Sequence, residues 1–283
     1  VFEGAYHGGV FYFGPDDSPL NMPVDWLLGR YNDTAPTRDM IEAHADELAA
    51  ILVEPMQGAG GCIPAEPGFL EMLREAADRH GIVLIFDEVM TSRLAPGGLQ
   101  EKLGVLPDMT VLGKYLGGGL AFGAFGGGAD IMGRFDPQTA GAFPHAGTFN
   151  NDVLTMAAGA AGLEEVFTPE AAEALNARGD ALRDRLNALA GSRGVPLRAT
   201  GLGSIMNVHF TTREIRRVDD VRAGDQAALA LFHLEMLARG QYLSRRGFMS
   251  LSLPLTDDDI DGFVAAAEDF LETFADTLTR PRA

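Results

Sequence analysis

Two apolar runs constrain this chain more than any other feature. "AAILVEP", around Ile51 to Val53, and "GIVLIFDE", around Ile82 to Phe86, are uninterrupted β-type segments. Between them lies "PGFLEMLREAADRHG", bracketed by Pro67 and Gly81, where Phe69, Leu70, Leu73, Ala76 and Ala77 recur at helical spacing. Strand, helix and strand at this spacing predict a βαβ unit with parallel strands. A third run, "DMTVLGK", around Met109 to Leu112, extends the sheet. Continuous rather than alternating apolar strands belong to a sheet covered on both faces. Ligands of such sheets sit beyond the carboxyl ends of strands, where Asp87 and Lys114 both stand.

After Thr148 the character changes. "NDVLTMAAGAAGLEEVF" and "PEAAEALNARGDALRDRLNALAG" read as helices, "GLGSIMNVHF" as a strand and Gln226 to Ala238 as a helix. An apolar "GFMSLSLPL" and a last helix from Asp257 to Thr277 follow. We read residues 1–166 as a large α/β domain and 167–283 as a smaller α+β domain. The net charge of -18 argues against nucleic-acid partners, which require basic surface. No apolar run reaches the roughly 18 residues of a membrane helix, so no membrane partner is expected. The single Cys62 excludes an internal disulfide framework and a cysteine-based metal cluster, and a reducing, cytoplasmic setting is expected. The opening "VFEGAYHGG" has no Met and no signal-like segment. It reads as the interior of a domain, so further chain is expected before it.

A carboxylate at the end of a buried strand is costly unless charge or hydrogen bonds compensate it. Lys114, in "VLGKYLGGGLAFGAFGGG", ends the third run beside glycines that let backbone approach a ligand. It is a poor Walker-type lysine, since it precedes the glycines and Tyr115 follows it. A pyridoxal phosphate site needs a lysine for the imine and an acid facing the pyridinium nitrogen. In that case the positive partner of Asp87 is the pyridinium and not a side chain. Spacing alone leaves a structural Asp–Lys pair equally open.

"VEPMQG", "FDEVMTSR", "LGKYLGGGLAFGAFGG" and "HAGTF", in this order, resemble the class III pyridoxal-phosphate aminotransferases over nearly the whole chain. "FEGAYHG" and "GAFGGGADIM" resemble the glutamate-1-semialdehyde aminomutase branch, and "GTFNND" and "RGFMSLSLPLTDDDID" its aromatic β-amino-acid transaminases. The resemblance implies a fold-type I transferase: a mostly parallel sheet with helices on both faces, plus a smaller α+β C-terminal domain. It implies that Lys114 is the Schiff-base lysine and proton shuttle, Asp87 the pyridinium partner, and Val89 and Tyr6 the residues on the two ring faces. His7 is expected to orient or pack near the cofactor. Thr148 is implied to reach the phosphate of the neighbouring subunit's cofactor, hence a homodimer with shared sites, and Arg246 to lie near the substrate pocket. The implied reaction is transamination of a donor such as β-phenylalanine with a 2-oxo acid acceptor. The alternatives are a glutamate-1-semialdehyde 2,1-aminomutase, or a non-catalytic or truncated dimeric relative.

Departures narrow the reading. Ala59 follows "QG" where many relatives carry Glu, Met90 stands where many carry Gln, and Asn150 to Asp152 replace the usual "GNP". The first two disfavour ornithine or γ-aminobutyrate as donor. No metal site is expected: "TDDDID" lacks the spacing of a calcium loop and reads as Thr256 capping a helix with acidic first turn. His145 reads as loop packing, and Met72, Met156 and Met236 as helix-face residues.

Overall fold

A computed structural model describes residues 1–14 and 18–279 of the chain. In order, the first elements are α1 (Thr34–Ala43), β1 (Ala50–Val53), β2 (Met56–Gln57), β3 (Ile63–Pro64), α2 (Phe69–His80) and β4 (Val83–Asp87). Then come α3 (Gly98–Leu103), β5 (Met109–Gly113), β6 (Gly123–Gly127), α4 (Ala129–Met132), α5 (Val153–Ala161) and α6 (Pro169–Arg193). The last are β7 (Leu197–Leu202), β8 (Ile205–Phe210), α7 (Val218–Arg222), α8 (Gln226–Ala238), β9 (Phe248–Ser250) and α9 (Asp257–Thr279). Two compact units result. One comprises Val1–Pro55 and Ala65–Ala172, the other Met56–Pro64 and the chain from Glu173 onward.

The first unit contains the βαβ arrangement. β4 runs parallel to β1, with Phe86 opposite Val53, and parallel to β5, with Asp87 opposite Val111. β6 completes the order β1-β4-β5-β6 as an antiparallel strand. The ends of β4 and β5 therefore point the same way, which puts Asp87 and Lys114 at one edge of the sheet. α2 forms where the apolar spacing predicts, with its buried face on β1 and β4. Gly81, at φ 67°, stops it; glycine takes that left-handed conformation without the penalty of a Cβ. Phe69 continues this core into an edge-on cluster with Phe2 and Tyr31, ring centroids 5.2 to 6.1 Å apart.

In the second unit the "GLGSIMNVHF" stretch is not one strand but parts of a hairpin. Leu202 pairs with Ile205 across Gly203 and Ser204, and Gly203 has φ 51°. Side chains of α6 hold the turn: Asn176 Oδ1 accepts the Ser204 N–H at 2.9 Å, and Asp180 Oδ1 that of Gly203 at 2.8 Å. The apolar pattern runs on through the reversal, so it conceals it. β9 adds to the order β7-β8-β9. Phe210, Phe232 and Phe270 form the aromatic core, with centroids 5.0 to 6.2 Å apart. The nine residues Met56–Pro64 join this unit, and the neck of their excursion is closed by Ala65 N–H donating to Pro55 O at 3.2 Å. Thr200 Oγ1 donates to Gly61 O at 2.8 Å, and His209 Nε2 lies 3.1 Å from the same oxygen. Thr256 and Asp259 cap α9 reciprocally: Asp259 N–H donates to Thr256 Oγ1 at 3.2 Å, and Thr256 N–H to Asp259 Oδ2 at 2.8 Å.

Met72 and Met236 are buried, but Met156 is 38% exposed, contrary to the helix-face expectation. α5 is apolar or small on every side, with Val153 and Leu154 exposed too, so hydropathy did not single out its inner face. Among the described residues no helix is long and apolar enough to cross a membrane.

Candidate active site

β4 delivers a nearly buried carboxylate. Leu84 and Phe86 are fully buried, and Asp87, the last strand residue, is 7% exposed. Both of its oxygens are held. Oδ2 lies 2.8 Å from His7 Nδ1, and Oδ1 accepts the Val89 N–H at 3.0 Å. A carboxylate oxygen accepts, which is the arrangement in which Nδ1 donates. The spacing left Asp87 open to the pyridinium or to Lys114; the structure supplies His7, from 80 residues away. Local patterning is blind to a contact of that span.

The backbone after Asp87 is fixed by its neighbour. Glu88 is fully buried and accepts three bonds, from Leu99 N–H at 2.7 Å, Gln100 N–H at 2.9 Å and Thr91 Oγ1 at 2.9 Å. Burial pushes its carboxyl above the usual range, against the pull of those bonds. Gly98, at φ 80°, makes room for it, since a Cβ there would lie 2.8 Å from Glu88 Oε1. Glu88 thus anchors the turn whose amide holds Asp87. Nothing in the motif announced this role beyond a second acid after the strand.

On the neighbouring strand, Lys114 follows β5, is exposed, and has φ 54°. A non-glycine residue in that region costs about 1–3 kcal/mol and persists where its surroundings over-determine it. Gly113 brings the two strand ends together, because a Cβ on it would meet Val89 Cγ1 at 3.5 Å and Phe122 O at 3.2 Å. An ionised carboxylate has about four acceptor sites, of which two are engaged here. His7 Nε2 is buried without a hydrogen-bond partner, an exception of the kind that marks functional sites. A buried carboxylate with spare acceptor capacity, on the strand next to the one that Lys114 follows, suits a cationic N–H such as the pyridinium of pyridoxal phosphate.

The family profile described as aminotransferase class-III matches residues 28–256. The chain belongs to the class-III aminotransferases. This family depends on pyridoxal phosphate, and the fold is that of the type I transferases. The chain is 56% identical over 271 residues to the β-phenylalanine transaminase of Variovorax paradoxus, an alignment covering 96% of this chain and 62% of the relative. It is 38% identical over 283 residues to a glutamate-1-semialdehyde 2,1-aminomutase of Nitratidesulfovibrio vulgaris, covering 94% and 66%. The crystal structure of a β-phenylalanine aminotransferase from Variovorax paradoxus superimposes with a TM-score of 0.96 at 54% identity, covering 99% of this chain and 65% of that one. The chain spans about three-fifths of the length of the first curated relatives it matches.

In this class-III chain the remaining expected site residues are distributed as follows. Tyr6 precedes His7, is exposed, donates its N–H to Glu54 Oε1 at 3.1 Å and sets its ring edge-on to Phe13 at 5.6 Å. His7, Asp87 and Val89 are therefore in contact at the end of β4, with Tyr6 next to His7 in the chain and Lys114 just past the end of β5. Thr148 stands on an exposed loop before Phe149. His145 packs against Phe125 and Phe135, at 5.3 and 6.2 Å. Arg246 belongs to the second unit, exposed, with its guanidinium carbon 5.5 Å over the Phe248 ring.

Proposed function

We propose that this chain is the core of a pyridoxal-phosphate transaminase that takes an aromatic β-amino acid, such as β-phenylalanine, as donor and a 2-oxo acid as acceptor. The observation that carries the reading is Asp87, held on both oxygens at the end of β4, with Lys114 just past the end of the adjacent parallel strand β5. Pyridoxal phosphate supplies the electron sink for the bond broken at the amino-bearing carbon. Asp87 would hold the protonated ring nitrogen, and His7 holds Asp87 in place. Val89 and Tyr6 would help to hold the ring. Lys114 would hold the cofactor through its amine and would be the group that carries a proton at the reacting carbon.

Arg246 takes the substrate carboxylate, for which a guanidinium offers a planar, bidentate fork. Thr148 serves the phosphate of a second copy, so each site draws on two chains. The surface beside Thr148 supports a homodimer: Phe149 and Val153 are 84% and 78% exposed, and exposed apolar clusters mark interaction surfaces. The reducing, cytoplasmic setting rests on Cys62, the single cysteine of the sequence, which is buried. Likeness to the aminomutases supports a second reading, exchange of amino groups within glutamate-1-semialdehyde.

The test is kcat/KM for β-phenylalanine, γ-aminobutyrate and glutamate-1-semialdehyde, in parent and Arg246→Ala protein. β-Phenylalanine should be converted best, and Arg246→Ala should raise its KM. Best conversion of glutamate-1-semialdehyde establishes the second reading instead. For shared sites, verified heterodimers of Lys114→Ala and Thr148→Ala chains should regain activity that neither variant has alone.

A further inference from the structure

Lys114 is held in its left-handed conformation by something, and the turn that follows it shows what. Residues Lys114–Gly117 form a 3₁₀ turn, closed by Gly118 N–H donating to Tyr115 O at 2.9 Å. This turn lies backbone to backbone on helix α5. A Cβ on Gly118 would come within 2.3 Å of Ala158 O, and a Cβ on Gly159 within 2.4 Å of Leu116 O. Glycine inside a helix is unfavourable compared with alanine, so Gly159 requires a reason. Its missing side chain is the seat of the lysine turn. On the other side Tyr115 sets its ring edge-on to Phe167, centroids 5.1 Å apart, and Phe167 lies under the Arg93 guanidinium at 5.7 Å.

We propose that Gly159 and Tyr115 are positioning residues for Lys114: Gly159 seats the turn against α5, and Tyr115 fixes it against Phe167. Neither touches the reacting atoms. The proposal rests on the reading of Lys114 as the cofactor lysine. A methyl group on Gly159 must move from 2.4 Å to the roughly 3.3 Å at which carbon and oxygen ordinarily meet. The helix is regular there and the turn carries three consecutive glycines, 117 to 119, so the turn yields. A displacement of about 1 Å at a reacting group costs on the order of a hundredfold in rate.

The experiment compares Gly159→Ala, Tyr115→Leu and Gly162→Ala with the parent. Gly162 is the control. It lies on the same helical run with φ -59° and ψ -41°, and a Cβ on it meets nothing nearer than Gly118 Cα at 3.7 Å. Borohydride reduction and peptide mapping of the parent come first; a label away from Lys114 refutes the functional reading itself. With the label on Lys114, three quantities are read: melting temperature, the rate at which added pyridoxal phosphate forms its covalent linkage to apo-protein by absorbance, and the split between kcat and KM. Gly159→Ala should slow linkage formation and lower kcat by about a hundredfold, with KM changed less, while Gly162→Ala behaves as the parent. Parent-like linkage and kcat in folded Gly159→Ala overturn the proposal, as does a Gly162→Ala variant equally impaired. If Gly159→Ala does not fold, Tyr115→Leu decides: slower linkage formation supports the proposal, and a parent-like rate overturns it.

Discussion

Replacing His7 by alanine removes the bond at Asp87 Oδ2 and leaves that side chain with the Val89 N–H. The lost bond is 2.8 Å long, and the carboxylate it serves is only 8% exposed. Hydrogen bonds to charged groups are worth about 1.5–3 kcal/mol, and about 1.4 kcal/mol is tenfold in rate. The donor half-reaction should therefore slow by about ten- to a hundredfold. His7→Asn separates the bond from the ring, since an amide N–H reaches roughly the place of Nδ1 and donates to the same oxygen. It should recover most of the loss. The assay is the single-turnover half-reaction with cofactor-loaded protein, followed by absorbance, with melting temperature measured in parallel. A parent-like rate in folded His7→Ala, or an asparagine variant as slow as the alanine one, refutes the reasoning.

Gly98→Ala meets both a left-handed backbone and the Glu88 carboxylate, so it should destabilise by about 2–4 kcal/mol. Gly81→Ala, with open space around it, should lose only about 1–2 kcal/mol from the backbone; urea unfolding compares them. Burial pushes the His209 imidazole down from its ordinary 6.5 to about 4. The unfolded chain takes up that proton first, so His209 costs stability as pH falls from 6.5 towards 4, by about 3 kcal/mol in all. Denaturation across that range should show a flatter acid limb in His209→Gln. Thr256→Ala removes the cap of α9 and should lower stability by about 1 kcal/mol, read as a fall in melting temperature.

Asp87 and the βαβ frame were legible because an apolar run ending in an acid is a local signal, and so is the spacing of Phe69 to Ala77. The family resemblance pointed to Lys114 and Val89 in the same way, motif by motif. What escaped lies across the chain. His7 was expected near the cofactor but not as the partner of Asp87, and Glu88 showed no sign of reaching Leu99 and Gln100. The turn at Gly203 and Ser204 hid inside apolar residues, because a left-handed glycine reverses a chain without changing its hydropathy. Gly159 was invisible for the opposite reason. In an alanine-rich helix a glycine looks neutral until its missing methyl group is set against Leu116 O.

The excursion of residues 56–64 has a consequence for how the chain is made. Gly61 finds its partner Thr200 139 residues later, and His209 later still. At about 5–20 residues per second of ribosomal synthesis, the loop waits roughly 7 to 28 s for the hairpin that holds it. Throughout that interval the Pro55 to Ala65 neck can close while its tip stays undocked. The second unit is also discontinuous in sequence, so no single cut in the polypeptide releases it whole. A protease that nicks the loop while it waits would leave Thr200 and His209 facing a severed partner in an otherwise fully translated chain.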